Sequence, residues 1–191
     1  MAQVQRRIPS EEEITIAFRR LDDSPWATIL ARMLVYGVRP HEAHLGTVTD
    51  DGLFLVPSNT KTGERIVPPF DKRPGWIRRA RGPLPKVTAR TNRDYGVRTY
   101  QAFNRRDVPF NPYDCRHRFI VLSEERGIPP AIAAIWAGHS TRTRYAVYMK
   151  TLDSRRALKY AIDNGYLLTN KSNHSINQQL WPSLSSIPSG H

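Results

Sequence analysis

Apolar residues recur at helical intervals in the first quarter of the chain. Ser10 with Glu13 three residues on is a capping-box signature ahead of Ile14, Ile16, Ala17 and Phe18, which predicts a helix from Ser10 to about Leu21. Ile29, Leu30, Met33 and Leu34 predict a second helix from about Trp26 to Tyr36, closed by Gly37. Pro40 suits the first turn of a short third helix. The period then changes. Gly46 to Val56 and Arg65 to Pro68 are rich in β-formers, with Thr47-Val48 as a first strand and a turn at Thr62-Gly63, so a small antiparallel sheet is expected. Residues 71–110 are rich in Pro and Arg and carry only weak helical signals.

From Asp114 the spacing is helical again. One helix is expected from Arg116 to Arg126, ended by Gly127, and the next opens at Pro129 and ends at Gly138. Ser140 can cap a third expected helix, which contains Tyr145 and Tyr148. Asp153 to Asn164 reads as an amphipathic helix with Ala157, Leu158, Ala161 and Ile162 on one side, stopped by Asn164-Gly165. Residues 1–9 read as a basic linker, 10–166 as one folded domain, and 167–191 as a polar tail expected to be flexible.

Charge narrows the class of partner. Among 191 residues, Lys and Arg number 29 against 17 Asp and Glu, a net charge of +12 and a pI near 10.3. Such a balance points to a polyanion, nucleic acid before acidic lipid. The excess is concentrated between Asp71 and Asp107, where 11 basic residues face 3 acidic ones. Arg78, Arg79, Arg81, Lys86, Arg90, Arg93 and Arg98 are candidates for contacts with DNA, and Trp76, Tyr95 and Tyr100 are interleaved with them. A single cysteine, Cys115, excludes an intrachain disulfide and a Cys-rich zinc site, and a buried apolar role suits it. The longest apolar run, Ala131 to Ala137, is too short to span a bilayer, and the N-terminus lacks a signal-peptide core. A cytoplasmic, DNA-associated location is expected. His117 and His139 have no Cys or His partner at ligand spacing and the carboxylates do not cluster, so neither a metal nor any other cofactor is expected.

One ordered set of residues suggests a chemistry. Arg116-His117 is followed by Gly138-His139, with His139 23 residues after Arg116 and Tyr148 nine after His139. That order supplies a cation for a phosphate, a hydrogen-bond donor and a hydroxyl nucleophile. Together with Gly37-Val38-Arg39-Pro40-His41-Glu42, Asn59-Thr60-Lys61-Thr62-Gly63 and Tyr113 to His117, it resembles the catalytic domain of the tyrosine recombinases, the phage-integrase family, over roughly Pro9 to Asn164.

The resemblance implies a mainly α (α+β) fold, a helical catalytic domain with a small three-stranded antiparallel sheet. It implies site-specific DNA recombination, in which Tyr148 attacks a phosphodiester to give a 3′-phosphotyrosyl bond and strands are then exchanged. Arg39 and Arg116 would grip the non-bridging oxygens. Lys61 would protonate the leaving 5′ oxygen, His117 would accept or relay a proton, and His139 would donate a hydrogen bond. Glu42 would brace the site through His117. Tyr113 stands where the family usually has histidine; its hydroxyl can position a phosphate oxygen but does not shuttle protons at neutral pH. Tyr145 is read as packing, and His41 and His44 as exposed or structural. The partners implied are double-stranded DNA, a tetramer on two DNA sites that is a monomer or weak oligomer without DNA, and accessory DNA-bending or directionality factors. Residues 153–166 are a candidate for docking on a neighbour. The family's N-terminal core-binding domain is read as absent, so weak, salt-dependent DNA binding is expected of the chain alone. Two other readings share these residues: a type IB topoisomerase-like strand-passage enzyme, and a DNA-binding module whose catalytic site has decayed.

Overall fold

The computed structural model describes residues 8–60, 62–139 and 154–166. Eight helices and three strands occur among them: α1 Glu11–Leu21, α2 Trp26–Tyr36, α3 Pro40–Leu45, β1 Thr47–Val48, β2 Phe54–Val56, β3 Arg65–Val67, α4 Pro74–Ala80, α5 Asn92–Arg105, α6 Pro112–Glu125, α7 Pro130–Ala137 and α8 Ser154–Asp163. The basic linker up to residue 7, Lys61, the expected Ser140-capped helix with Tyr145 and Tyr148, and the tail from residue 167 lie outside the described residues.

Helix α2 is the axis of the domain. It is buried from Ala27 to Tyr36, and α1, α3, α4, α5 and α6 all pack on it. A helix enclosed on every side must satisfy its one charged residue internally. Arg32 does so by donating to Ala80 O at 2.8 Å, Ala43 O at 2.8 Å and Gly46 O at 2.9 Å, which ties the ends of α3 and α4 to it. Gly37 ends α2 in the left-handed region, φ 63°, and a Cβ there would lie 2.2 Å from Phe119 Cγ. The glycine is thus required both by the turn and by the close passage of α6.

The capping box at Ser10 is formed, with Glu13 N donating to Ser10 Oγ and Ser10 N to Glu13 Oε2. The sheet has the order β1-β2-β3, antiparallel throughout, with Thr47 opposite Leu55 and Val56 opposite Arg65. Residues 71–110 contain two helices, α4 and α5. Each buries few apolar side chains, Ile77 and Ala80 on one, Ala102 and Phe103 on the other, which is why their pattern is faint in the sequence.

Two expectations need correction. The helix expected from Arg116 begins at Pro112, because Pro112 holds the first helical position and Asp114 returns its carboxylate to Asn111 N at 2.9 Å. Tyr113 to His117 therefore lie in its first turns. The side of α8 expected to dock on a neighbour, within the candidate stretch 153–166, is turned inward where its side chains are described. Ala157 and Ala161 are fully buried in this chain's own core, and Tyr160 and Tyr166 contact the Trp136 ring.

Candidate functional site

The site assembles where the N-terminus of α3, the start of β3, the first turns of α6 and the end of α7 meet. Arg39 is the N-cap of α3, held extended before Pro40. Glu42, one turn on, accepts from Arg39 N at 2.8 Å. That hydrogen bond turns the Glu42 carboxylate inward, where it is completely buried. It accepts from Arg39 Nη1 at 2.9 Å, from Arg65 Nη2 at 2.7 Å and Nη1 at 3.0 Å, and from Thr62 Oγ1 at 3.3 Å. Burial alone would raise its pKa. The bonds and charge of Arg65, then Arg39, outweigh burial and bring it down to about 2. Its acceptor capacity is filled by these groups, so His117 is not its partner; the brace runs instead to Arg39 and Arg65.

Arg65 was not singled out from the sequence. Beyond Glu42 it donates Nε to Trp136 O at 2.9 Å, Nη1 to Thr62 Oγ1 at 3.0 Å and Nη2 to Ala137 O at 3.5 Å. Every N–H donor of this guanidinium has an acceptor. The available signal was strand alternation: Arg65 shares a face with Val67, which is in the core. Thr62, read from the sequence as a turn and motif residue without a role in the site, touches Arg39, Arg65 and Glu42.

Arg39 also donates Nη2 to Gly138 O at 2.7 Å. Its Nε and one Nη2 hydrogen have no acceptor among the described residues. Gly138 ends α7 with φ 61°, and His139 N donates back to Ala134 O at 3.0 Å. His139 is thereby placed beside the arginines. Burial first, then Arg116, Arg39 and Arg65, lower its pKa to about 4, so the ring is neutral at pH 7, and its Nδ1 has no hydrogen-bond partner among the described residues.

Arg116, on α6, is only 6% exposed. Nη1 donates to Gly37 O at 3.2 Å, while Nη2 is buried with no partner among the described residues. Burial and then Arg39 lower its pKa to about 9, which still leaves it charged at neutral pH. Among the described residues Arg39, Arg65 and Arg116 together face one carboxylate, Glu42, so the cluster they form carries two uncompensated positive charges. His41 is buried beside it, its pKa lowered by burial, with Nε2 unpartnered among the described residues. His44 is buried too and meets Thr99 Oγ1 at 3.1 Å. Both are structural rather than exposed. Tyr113 is 48% exposed in the first turn of α6, its hydroxyl within electrostatic reach of Arg116. His117 is half-buried on the same helix.

The basic stretch divides in two. Arg79 pairs with Asp22, and Arg81 donates to Asp50 O at 3.0 Å and Thr49 O at 3.3 Å, so both anchor the fold. Arg78, Lys86, Arg90, Arg93 and Arg98 point to solvent. Of the interleaved aromatics, Trp76 packs on Phe18 beneath Arg73, Tyr95 packs on His44, and Tyr100 is exposed. Cys115 is buried, which pushes its thiol well up from the usual range. No group of three His, Cys, Asp or Glu among the described residues is placed to hold a metal ion, and no helix among them is long and apolar enough to cross a membrane.

The chain is similar to known proteins over this region. Excisase A of Nostoc sp. (strain PCC 7120) is 24% identical across 79% of this chain and 40% of its own length. Excisase C of the same organism is 27% identical across 65% of this chain and 29% of its own length. The chain thus spans less than half the length of the curated relatives it matches. No family model matches it. The crystal structure of XerA recombinase superposes with a TM-score of 0.54 at 13% identity, covering 85% of this chain and 66% of that one. The chain is similar to these two excisases, and its fold is that of XerA recombinase.

Proposed function

We propose that this chain carries the catalytic part of a site-specific DNA recombinase that cuts by tyrosine attack. A phosphodiester bears one negative charge that grows as the phosphorus becomes pentacoordinate. The two uncompensated positive charges around Arg39 and Arg116 match that growing charge. The observation that carries the reading is the buried Arg116 Nη2, for which the described residues supply no acceptor. Burying an unpaired guanidinium donor is costly, so an arginine kept in this state implies an anion that completes it.

In the proposed reaction the phenolic oxygen of Tyr148 attacks phosphorus, and the bond to the 5′ oxygen breaks. The phenol proton passes to His117, and Lys61 protonates the departing 5′ oxygen. Arg39 and Arg116 hold the non-bridging oxygens, and neutral His139 donates one hydrogen bond. Tyr113 adds a neutral donor near Arg116. A 5′ hydroxyl of a second duplex then attacks the phosphotyrosyl bond and restores the phenol, with one bond formed for each broken. The DNA partners are two duplex sites, each bound by two protomers of a tetramer. Arg78, Lys86, Arg90, Arg93 and Arg98 contact the backbone, which makes binding steeply salt-dependent. Because the two relatives are named excisases, excision is the first reaction to assay.

A nicked duplex carrying the sequence that borders the gene tests this. Covalent protein–DNA adduct is expected to form in EDTA and to vanish in Tyr148→Phe. Absence of adduct at the correct site would leave a DNA-binding module without strand cleavage.

A further inference from the structure

The end of α7 raises a question that the phosphate reading leaves open: what fixes His139 beside the two arginines. Three successive carbonyls there, Trp136 O, Ala137 O and Gly138 O, accept from guanidinium groups, the first two from Arg65 and the third from Arg39. These are carbonyls that a helix C-terminus leaves without intrahelical partners. The same Arg65 is clamped on its other edge by Glu42 and Thr62. A Cβ on Gly138 would fall 2.5 Å from Arg65 Cζ and 2.8 Å from Thr62 Oγ1. The glycine before His139 is therefore needed to admit this guanidinium as well as to turn the chain.

We propose that Arg65 is a positioning residue for the site: it locks the Gly138-His139 turn to Glu42, and through Glu42 it sets the orientation of Arg39, without touching the phosphate itself. The donor count carries the negative half of this statement. Among the described residues Arg65 has no N–H left for a phosphate oxygen, whereas Arg39 keeps two and Arg116 keeps both of those on its buried Nη2. The positive half follows from shape. A lysine at this position keeps the charge but presents a single nitrogen, and it cannot join Glu42 and the α7 carbonyls in one plane.

This inference rests on the phosphate reading of the pocket, and one experiment separates the two. The 191-residue chain is prepared with isotope-labelled histidine, and the His139 imidazole resonances are followed by NMR during titration with inorganic phosphate. Wild type is expected to show a saturable shift. Arg65→Lys is expected to move the His139 resonances before any phosphate is added and to weaken phosphate binding at least tenfold, while its amide spectrum stays that of a folded chain. Thr62→Val removes a smaller part of the same clamp, so it folds more readily and should weaken binding about threefold in the same direction. Unchanged His139 resonances and unchanged phosphate affinity in both variants, with only a lower unfolding midpoint, would make Arg65 an ordinary core arginine and overturn the proposal. A wild-type chain that ignores phosphate would instead overturn the reading of the pocket, and the phosphate-free His139 resonances of the variants would still decide whether Arg65 sets the turn.

Discussion

Two buried guanidinium groups in one cluster live in opposite surroundings. Arg65 is 3% exposed and Arg116 6%, so depth does not distinguish them. Around Arg65 every donor is met, by a carboxylate, a hydroxyl and the end of a helix. Around Arg116 the described residues offer one carbonyl, Gly37 O. The first region has the composition of a brace and the second that of a receptor. Burying a charge is expensive unless it is paired and hydrogen-bonded. The donors of the second that the described residues leave unmet are those the proposed phosphate would complete.

The largest expected effect lies in the brace. Glu42→Ala leaves Arg39 and Arg65 without their shared carboxylate, and loss of one partner from a buried ion pair typically costs about 3–5 kcal/mol. Urea denaturation should show that loss or an unfolded chain. A change below about 1 kcal/mol would mean that the carboxylate is not what holds the two arginines.

Acid should separate the two regions by their pH windows. Glu42 is held at about 2 against an ordinary 4.5, so its contribution is complete above about pH 4.5 and is lost as pH falls toward 2. His139 and His44 are held at about 4 against an ordinary 6.5. The unfolded chain accepts their protons first, so stability is full above about pH 6.5 and declines as pH falls to 4. A Tm profile should therefore fall by several degrees between pH 6.5 and 4, and again below 4.5. His139→Gln should reduce the first phase and leave the second. A profile flat from pH 7 to 4 would contradict the buried, neutral state of these histidines.

Much of this arrangement is legible in the sequence, because its signals are local. Ser10 with Glu13, Gly37, Pro40 and the turn at Gly63 each mark a backbone requirement that the fold respects. Arg39, Arg116 and His139 were drawn together by motif order, and the structure brings them within electrostatic reach. The contact of Glu42 with Arg65 spans 23 residues and depends on how β3 meets α3; nothing local announces it. Helices α4 and α5 owe their place to a few buried side chains against α2 and α3, so tertiary packing decides what propensity leaves weak. The early start of α6 was available in Asn111-Pro112 and Asp114, a cap whose importance shows only once Tyr113 is seen on its first turn. The inward side of α8 was legible as a stripe, but whether this chain or another covered it was not, since amphipathicity names a face and not its partner.

The smallest expected change in stability belongs to Arg116→Met, and it tests the central claim most directly. Unfolding by urea is followed for wild type and for this variant, each with and without inorganic phosphate. A receptor arginine predicts that the variant differs from wild type by no more than about 1 kcal/mol when phosphate is absent, since an unpaired buried charge is replaced by an apolar chain of similar size. It predicts that phosphate stabilises wild type, by about 2.7 kcal/mol at a hundredfold excess over Kd, and leaves the variant unmoved. A loss of about 3 kcal/mol or more in the variant without phosphate, with wild type indifferent to the anion, would show Arg116 to be a second brace and contradict the account.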